Sequence, residues 1–336
     1  MSAMKPPVTV SMAFVRGMLS GIQARGRACE PFLLEAGIDP ELLHEVSGRV
    51  TGEQYVALFR LLVDRLEDDG ICFYHRRLKP GSFATMLRSA LGAPDLEVAM
   101  RRIGRTFSMF QDDVELVSRR VDGLCGWELH FEGSAQRPHF MHEMILRIFW
   151  RLLAWLAGGK LPPARFDLAF DTPVYAGSYG SVLPAELRFN QSYSALWFDE
   201  RALAKPVRRD EAALRLFLSD VPWNIVLPRR RDDSFSSRVR IHLQLNLPAW
   251  PDLSSTAQAL HISVSALQRH LVSEGTTFQS LKDELRRDMA IHRLATSDVT
   301  LGFLALELGF SDSASFQRAF KSWTGSPAGA YRRRSL

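Results

Sequence analysis

Two short stretches near the end of the chain, Leu267-Gln268-Arg269-His270-Leu271 and Phe316-Gln317-Arg318-Ala319-Phe320, decide how the rest is read. Each sets two large apolar residues at i and i+4, with a Gln-Arg pair between them. In a helix of about 3.6 residues per turn that spacing buries one face and turns a neutral donor/acceptor and a cation outward. Outward groups of this kind can bond to base edges and grip phosphates.

A short helical signal with a small residue precedes each core, Ala257 to Leu260 and Ala305 to Leu308. Each unit therefore reads as helix, turn, helix. Ser263, after His261-Ile262, can accept a bond from an orphan N–H at the start of the next helix. Gly309 follows Leu308, where a helix must end at positive φ, and Ser311 or Asp312 can cap what comes next. Ala257 precedes Gln268 by eleven residues and Ala305 precedes Gln317 by twelve, which makes the units a divergent repeat with one extra turn residue in the second. A single helical hairpin with a polar outer face is common in all-α proteins. Two in tandem, each with the same outward pair, argue against that reading.

The stretch from Ala305 to Gly325, Ala-Leu-Glu-Leu-Gly-Phe-Ser-Asp-Ser-Ala-Ser-Phe-Gln-Arg-Ala-Phe-Lys-Ser-Trp-Thr-Gly, closing near Tyr331-Arg332, resembles the second helix-turn-helix of AraC/XylS-type transcription regulators. The first unit and Arg286-Arg287-Asp288-Met289-Ala290 resemble the same family, over residues 237 to 334 in all. One departure is Pro327, two residues after Gly325 where members place a proline three residues on. The resemblance implies a sequence-specific DNA-binding transcription regulator whose two recognition helices enter grooves of double-stranded promoter DNA, with RNA polymerase as a further partner. The residues matching the base-facing positions are Ser265, Gln268 and Arg269 in the first helix, and Ser313, Ala314, Gln317 and Arg318 in the second. Arg can pair with guanine O6 and N7, Gln with adenine or phosphate, and Ala314 only with an apolar group such as a thymine methyl.

Apolar positions Phe278, Leu281, Leu285, Met289 and Leu294 predict one connecting helix, about 26 Å long at ~1.5 Å per residue. A rigid connector on that scale can set two recognition helices about 34 Å apart, one turn of B-DNA. The segment just before the first unit is less plain. Val239, Ile241, Leu243, Leu245 and Leu247 alternate with period two, as in a strand, whereas the resemblance implies a helix, and the i, i+4 pairs Val239/Leu243 and Ile241/Leu245 allow one.

With 336 residues the chain suggests two domains, and 46% apolar with 24% charged residues is ordinary for a soluble globular protein. Residues 1 to 228 hold 27 Lys+Arg and 27 Asp+Glu, whereas residues 229 to 336 hold 15 and 10. The excess positive charge thus lies with the paired helical units, as attraction to phosphate requires. Cys29, Cys72 and Cys125 are few and widely spaced, which fits reduced, buried thiols and no zinc or redox motif. No secretory signal is evident in Met1 to Val10, and Met144 to Ala157 is shorter than a bilayer span and broken by Arg147 and Arg151. The expected location is cytoplasmic, and no metal or cofactor is expected.

Residues 1 to 228 read as an α+β effector or dimerisation domain, followed by a linker over 229–237 and an all-α domain over 238–336 with two helix-turn-helix units joined by a long helix. Helical spacing runs from residue 8 to 28, from Pro31, after Asp39-Pro40-Glu41, and from Tyr55 to Leu66 behind a capping box at Thr51-Gly-Glu-Gln54. Helices are further expected from Phe83 to Leu91, from Leu96 to Met109 and from His142 to Ala157. Val114 to Phe131 is a hairpin turning at Asp122-Gly123. Phe166 to Phe170, Leu187 with Phe189, and Ala195 to Phe198 read as further strands.

This N-terminal part is similar to the arabinose-binding-type effector domain of one branch of the same family, which implies a small-molecule effector. Candidate effector groups are Arg147 and Arg151, able to hold a carboxylate, and His142. Against this, Glu143, Arg147 and Arg151 form an i, i+4 stripe of the kind that usually faces solvent. His139-Phe-Met-His142-Glu143 lacks the order of helical zinc motifs. Arg101 and Arg105 can clasp a phosphate or simply be solvated. An N-terminal domain that binds a protein partner is the chief alternative. An enzyme reading is weaker: Gly177-Ser178-Tyr179-Gly180 has Ala176 where a nucleophile elbow needs glycine, and no cysteine sits in the Pro-Cys-His-Arg context of DNA alkyl-transfer enzymes fused to this DNA-binding unit. Leu214, Phe217, Leu218 and Val221 form an apolar stripe before the linker, a candidate homodimer surface.

Overall fold

The computed structural model describes residues 7–133, 136–159, 161–219, 221–225 and 234–332. In chain order the elements are β1 (Thr9–Ser11), α1 (Met12–Gln23), α2 (Glu30–Glu35), β2 (Arg49–Thr51), α3 (Gly52–Leu66), α4 (Ser82–Ala90) and α5 (Leu96–Phe110). A hairpin of β3 (Val114–Val121) and β4 (Leu124–Phe131) precedes α6 (His139–Leu156), β5 (Arg165–Asp167), β6 (Glu186–Arg188) and β7 (Ser194–Asp199). Next come α7 (Glu200–Leu203), α8 (Glu211–Leu218), α9 (Val221–Ile225), α10 (Phe235–Leu245) and α11 (Leu253–Ala259). The chain continues with α12 (Val264–Ser273), α13 (Phe278–Thr296), α14 (Leu301–Glu307) and α15 (Ser313–Thr324). These elements fall into two compact units: a sheet unit drawn from residues 13–36 and 56–228, and a helical unit drawn from 1–12, 37–55 and 229–336.

The sheet unit is built on five strands in the order β3-β4-β7-β5-β6, antiparallel except for the β5–β6 pair. Its hairpin turns at Asp122-Gly123, with φ of 52° and 76°. Positive φ at both central residues is the turn whose twist matches the flanking strands. Gly126 on β4 lies opposite Trp197 of β7, and a Cβ there would stand 1.9 Å from the Leu196 carbonyl oxygen, so no larger residue fits. Trp127 and Phe107 both set ring edges against Phe149 of α6, each at 5.2 Å between centroids. The apolar length of α6 explains its place: Ile145, Leu146, Leu152, Leu153 and Leu156 are all buried.

Three expectations for this part of the chain need correction. The helix expected over residues 8–28 begins only at Met12, because Thr9–Ser11 pairs as a strand with Arg49–Thr51. The charged stripe on α6 does not face solvent, since Glu143 is 2% exposed and Arg151 7%. Finally, the stripe on α8 is no free surface. Leu214 and Phe217 are buried within the sheet unit, with the Phe217 ring 4.6 Å from that of Trp155. Leu216, outside the expected stripe, is the residue that points outward, at 76% exposure. The dimer surface read from that stripe is therefore withdrawn.

In the helical unit, the capping box forms as expected: Thr51 N–H donates to Gln54 Oε1 at 2.9 Å and Gln54 N–H to Thr51 Oγ1 at 3.2 Å. Residues 229–233 of the expected linker lie outside the described residues. Ser234 caps α10 by accepting from Ser237 N–H, so 234–237 form the opening turn of that helix. Only one of the two i, i+4 pairs of α10 is buried: Val239 and Leu243 are at 0% exposure, whereas Ile241 and Leu245 are at 49% and 80%. Outward apolar residues thus produced the period-two pattern.

Candidate functional site

Each recognition helix is fixed by its cap and its apolar pair. Ser263 accepts a bond from Ala266 N–H at 3.2 Å, which starts α12. Leu267 and Leu271 are then at 0% and 1% exposure, and Ser265, Gln268 and Arg269 are exposed. In the second unit the cap is Asp312 rather than Ser311. Its carboxylate accepts from Ser315 N–H at 2.7 Å, Ser315 Oγ at 2.8 Å and Ser311 Oγ at 3.0 Å. Phe316 and Phe320 of α15 are at 0% exposure, with Ala314, Gln317 and Arg318 exposed and Ser313 half-buried. Two of these outward groups are tethered: Gln317 Nε2 donates to Ser313 Oγ at 3.1 Å, and Arg318 Nη2 to Ser315 Oγ at 3.0 Å. All seven residues expected to face DNA therefore lie on α12 and α15.

The donors around Asp312 hold its carboxyl down at about 2, the Ser315 backbone N–H being the largest cause. The folded value lies below the ordinary 3.8 of a free carboxyl. The stabilisation from this cap is thus complete above that ordinary value and is lost as pH falls through about 2. A carboxyl resonance titration should give a midpoint near 2 for Asp312, whereas a midpoint near the ordinary value would show that the cap does not form in solution.

Helix α13 braces both units. It has 19 residues, about 28 Å at ~1.5 Å each, and buries Leu281, Leu285, Met289, Ile291 and Leu294. Arg286 is clamped between the Trp250 ring at 4.9 Å and the Phe310 ring at 4.8 Å, and its Nη2 donates to the Gly309 carbonyl at 3.3 Å. Burial lowers its pKa from the usual guanidinium range. Trp250 Nε1 donates to the Glu307 carbonyl at 3.0 Å, and Arg293 Nη2 reaches the Glu307 carboxylate at 3.2 Å. Gly309, at φ 74°, passes so close to Trp250 that a Cβ would lie 2.7 Å from its Cδ1. On the other unit, Arg240 of α10 pairs with Glu284, and Glu274, at the C-terminal end of α12, accepts from Phe235 N–H at 2.8 Å and Ser236 N–H at 2.9 Å. These bracing groups escaped the sequence reading because their partners lie tens of residues away.

The candidate effector residues are occupied within the sheet unit. His142 Nδ1 lies 2.8 Å from Ser194 Oγ, which also accepts from Ala169 N–H at 2.9 Å. The imidazole tautomer sets which of the two donates in that bond, and burial pulls the imidazole pKa down to about 4. Arg147 Nε donates to the Ile225 carbonyl at 3.2 Å, and the Arg151 guanidinium lies 5.8 Å from the Trp150 ring. His139 stacks on Phe170 at 4.1 Å, and Arg101 pairs with Glu97 at 2.7 Å. Burial raises the pKa of all three cysteine thiols, the opposite of what a nucleophile needs. Among the described residues, no helix is long and apolar enough to cross a membrane.

Comparison with known proteins finds a family match in each half of the chain. Residues 26–207 match the family described as the arabinose-binding domain of AraC transcription regulator, N-term, and residues 256–334 match a helix-turn-helix domain family. The ornithine utilization regulator of Pseudomonas aeruginosa is 31% identical over 193 residues, so the match spans only 57% of each protein. An uncharacterized HTH-type transcriptional regulator of Mycobacterium tuberculosis, Rv1395, is 23% identical over 322 residues, 92% of both chains. Among solved structures, the transcriptional regulator CdpR from Pseudomonas aeruginosa aligns over 97% of this chain and 99% of its own, at 17% identity and a TM-score of 0.32.

Proposed function

Because this chain belongs to the AraC-type transcription regulators, we propose that its two exposed Gln-Arg pairs read promoter DNA under the control of a small molecule held in the N-terminal domain. The observation that carries the DNA reading is local. Two capped helices each bury an apolar i, i+4 pair and turn Gln and Arg outward; α15 packs on α13, and α12 is tied to α13 through α10. In this reading Arg269 pairs with a guanine edge, and Gln268 and Ser265 contact bases or phosphates beside it. Gln317 and Arg318 act from the second helix, and their bonds to Ser313 and Ser315 support preorganisation of that surface. Ala314 contributes an apolar contact. The similarity of residues 26–207 to the arabinose-binding domain supports a small-molecule effector. The bonds made by His142, Arg147 and Arg151 within their own unit weaken them as its ligands.

Selection of sites by the full chain from random-sequence duplexes tests the DNA reading. The enriched sites should contain two contacted segments about one helical turn apart, and affinity for them should fall steeply as salt rises. On such a site Arg269→Ala should cost about 1–3 kcal/mol and relax preference at one position. A uniform loss over all sequences would make Arg269 a phosphate contact, and failure to enrich any site would sink the reading. For the effector, a metabolite that binds the native protein raises its melting temperature. The same compound should then change affinity for the selected DNA, and a metabolite screen that moves neither quantity counts against effector control.

A further inference from the structure

Glu143 sits on α6 at a position whose spacing belongs to a solvent face, yet it is 2% exposed. Its Oε1 accepts from two phenols, Tyr175 at 2.8 Å and Tyr179. Its Oε2 is buried and has no hydrogen-bond partner among the described residues. The two phenols belong to a cluster of three aromatic rings. Phe14 stands edge-on to Tyr175 at 5.8 Å and to Tyr179 at 6.2 Å, and the two tyrosine rings are 5.7 Å apart. Burial pushes the carboxyl pKa up, while the two phenols and the through-space attraction of Arg147 pull the other way. A carboxylate oxygen taken out of water with no partner is expensive. The phenols, which satisfy only the other oxygen, hold Oε2 in one direction at that expense.

We propose that Glu143, Tyr175, Tyr179 and Phe14 form the recognition site for a protonated amine carried by the small-molecule effector; this rests on the reading that the N-terminal domain holds such an effector. An ammonium group matches the site twice. It supplies the hydrogen bond that Oε2 lacks, and its positive charge is attracted to the carboxylate. A neutral hydroxyl supplies only the first of these, and weakly. An anion is repelled by the carboxylate. Access fits as well: Tyr179 is buried, but Tyr175 is half-buried and is preceded by the exposed Asp171, Thr172 and Val174.

Thermal unfolding of the full chain tests this with 1,4-diaminobutane and L-lysine, against 1,4-butanediol, L-arabinose and glutarate. The two amines should raise the melting temperature and the other three should not. Glu143→Gln keeps the size and an acceptor for the phenols but removes the charge, and should weaken the amine response by about tenfold or more. Phe14→Leu removes the ring that packs edge-on against both tyrosines, leaves the carboxylate intact, and should weaken the response by about a few fold through loss of the phenols' positioning; it carries the test should Glu143→Gln fail to fold. Tyr175→Phe keeps its ring and should retain most of the response. No amine response, or one that survives both Glu143→Gln and Phe14→Leu, overturns the proposal. A response to the diol, the sugar or the dicarboxylate alone also overturns it, and leaves effector control standing.

Discussion

Phe316→Ala should destabilise the helical unit by about 3–5 kcal/mol, the range for emptying a fully buried aromatic site. Phe316 is at 0% exposure, with its ring 5.7 Å from both Phe310 and Phe320, and Phe310 in turn lies against the clamped Arg286. A cavity there undermines α15 itself and the turn that α13 holds. The neighbouring Gln317 is exposed on the same turn, so Gln317→Ala should stay within about 0.5 kcal/mol of the parent protein. A chain of two compact units need not unfold in one step. The readout is therefore native-state hydrogen exchange of the α15 amides, where Phe316→Ala should lower protection and Gln317→Ala should not. Equal protection in the two variants would mean that the buried and outward faces of the recognition helix have been exchanged.

That prediction needs only the sequence, because the i, i+4 spacing of Phe316 and Phe320 is a local signal and the fold respects it. The same holds for Ser263, Gly309, the Thr51/Gln54 capping box and the Asp122-Gly123 turn, where the residue's own chemistry selects the backbone. Legibility fails where a residue's partner is remote. Glu143 and Arg151 look like a solvated stripe because nothing nearby in sequence announces that α6 is buried on that side too. Leu214 and Phe217 look uncovered because their cover includes Trp155, which precedes them by more than fifty residues. Strands of three residues such as β1 and β2 are too short to show alternation, so Thr9 to Ser11 was absorbed into the helical spacing that follows. The outward residues of the two capped helices are readable for the reason that the bracing ones are not: Gln268, Arg269, Gln317 and Arg318 owe their direction to their own helix. Arg286 owes its place to Trp250 and Phe310, on segments to either side of it.

Asp288→Ala should cost about 3–5 kcal/mol, the consequence of removing one partner from a buried set of charges. Asp288 is 1% exposed on α13, and its Oδ1 accepts from Thr9 Oγ1 at 2.6 Å and Arg287 Nη2 at 3.0 Å. The Thr9 hydroxyl accepts in turn from Arg49 Nε at 2.7 Å, and Arg49 Nη2 donates to the Thr9 carbonyl at 2.9 Å. Within the helical unit, this chain of bonds fastens the β1–β2 pair to the helix that spaces the two recognition helices. Burial and the nearby Arg287 already lower the Arg49 pKa to about 10, while Asp288 works to raise it. Without the carboxylate, two guanidinium groups face each other with less compensation. Asp288→Asn keeps an acceptor for Thr9 and should lose less stability than Asp288→Ala. Thr9→Val, which removes the bridging hydroxyl alone, should cost about 1–3 kcal/mol. The instructive control is the triple replacement Thr9→Val, Arg49→Met and Asp288→Leu. Exchanging a whole buried polar set for apolar groups is often near neutral, so this variant should be more stable than Asp288→Ala by itself. Unfolding followed by exchange of the α13 amides measures all four. If Asp288→Ala falls within about 1 kcal/mol of the parent, the charges are solvated in practice, and the strands near the N-terminus do not hold the long helix.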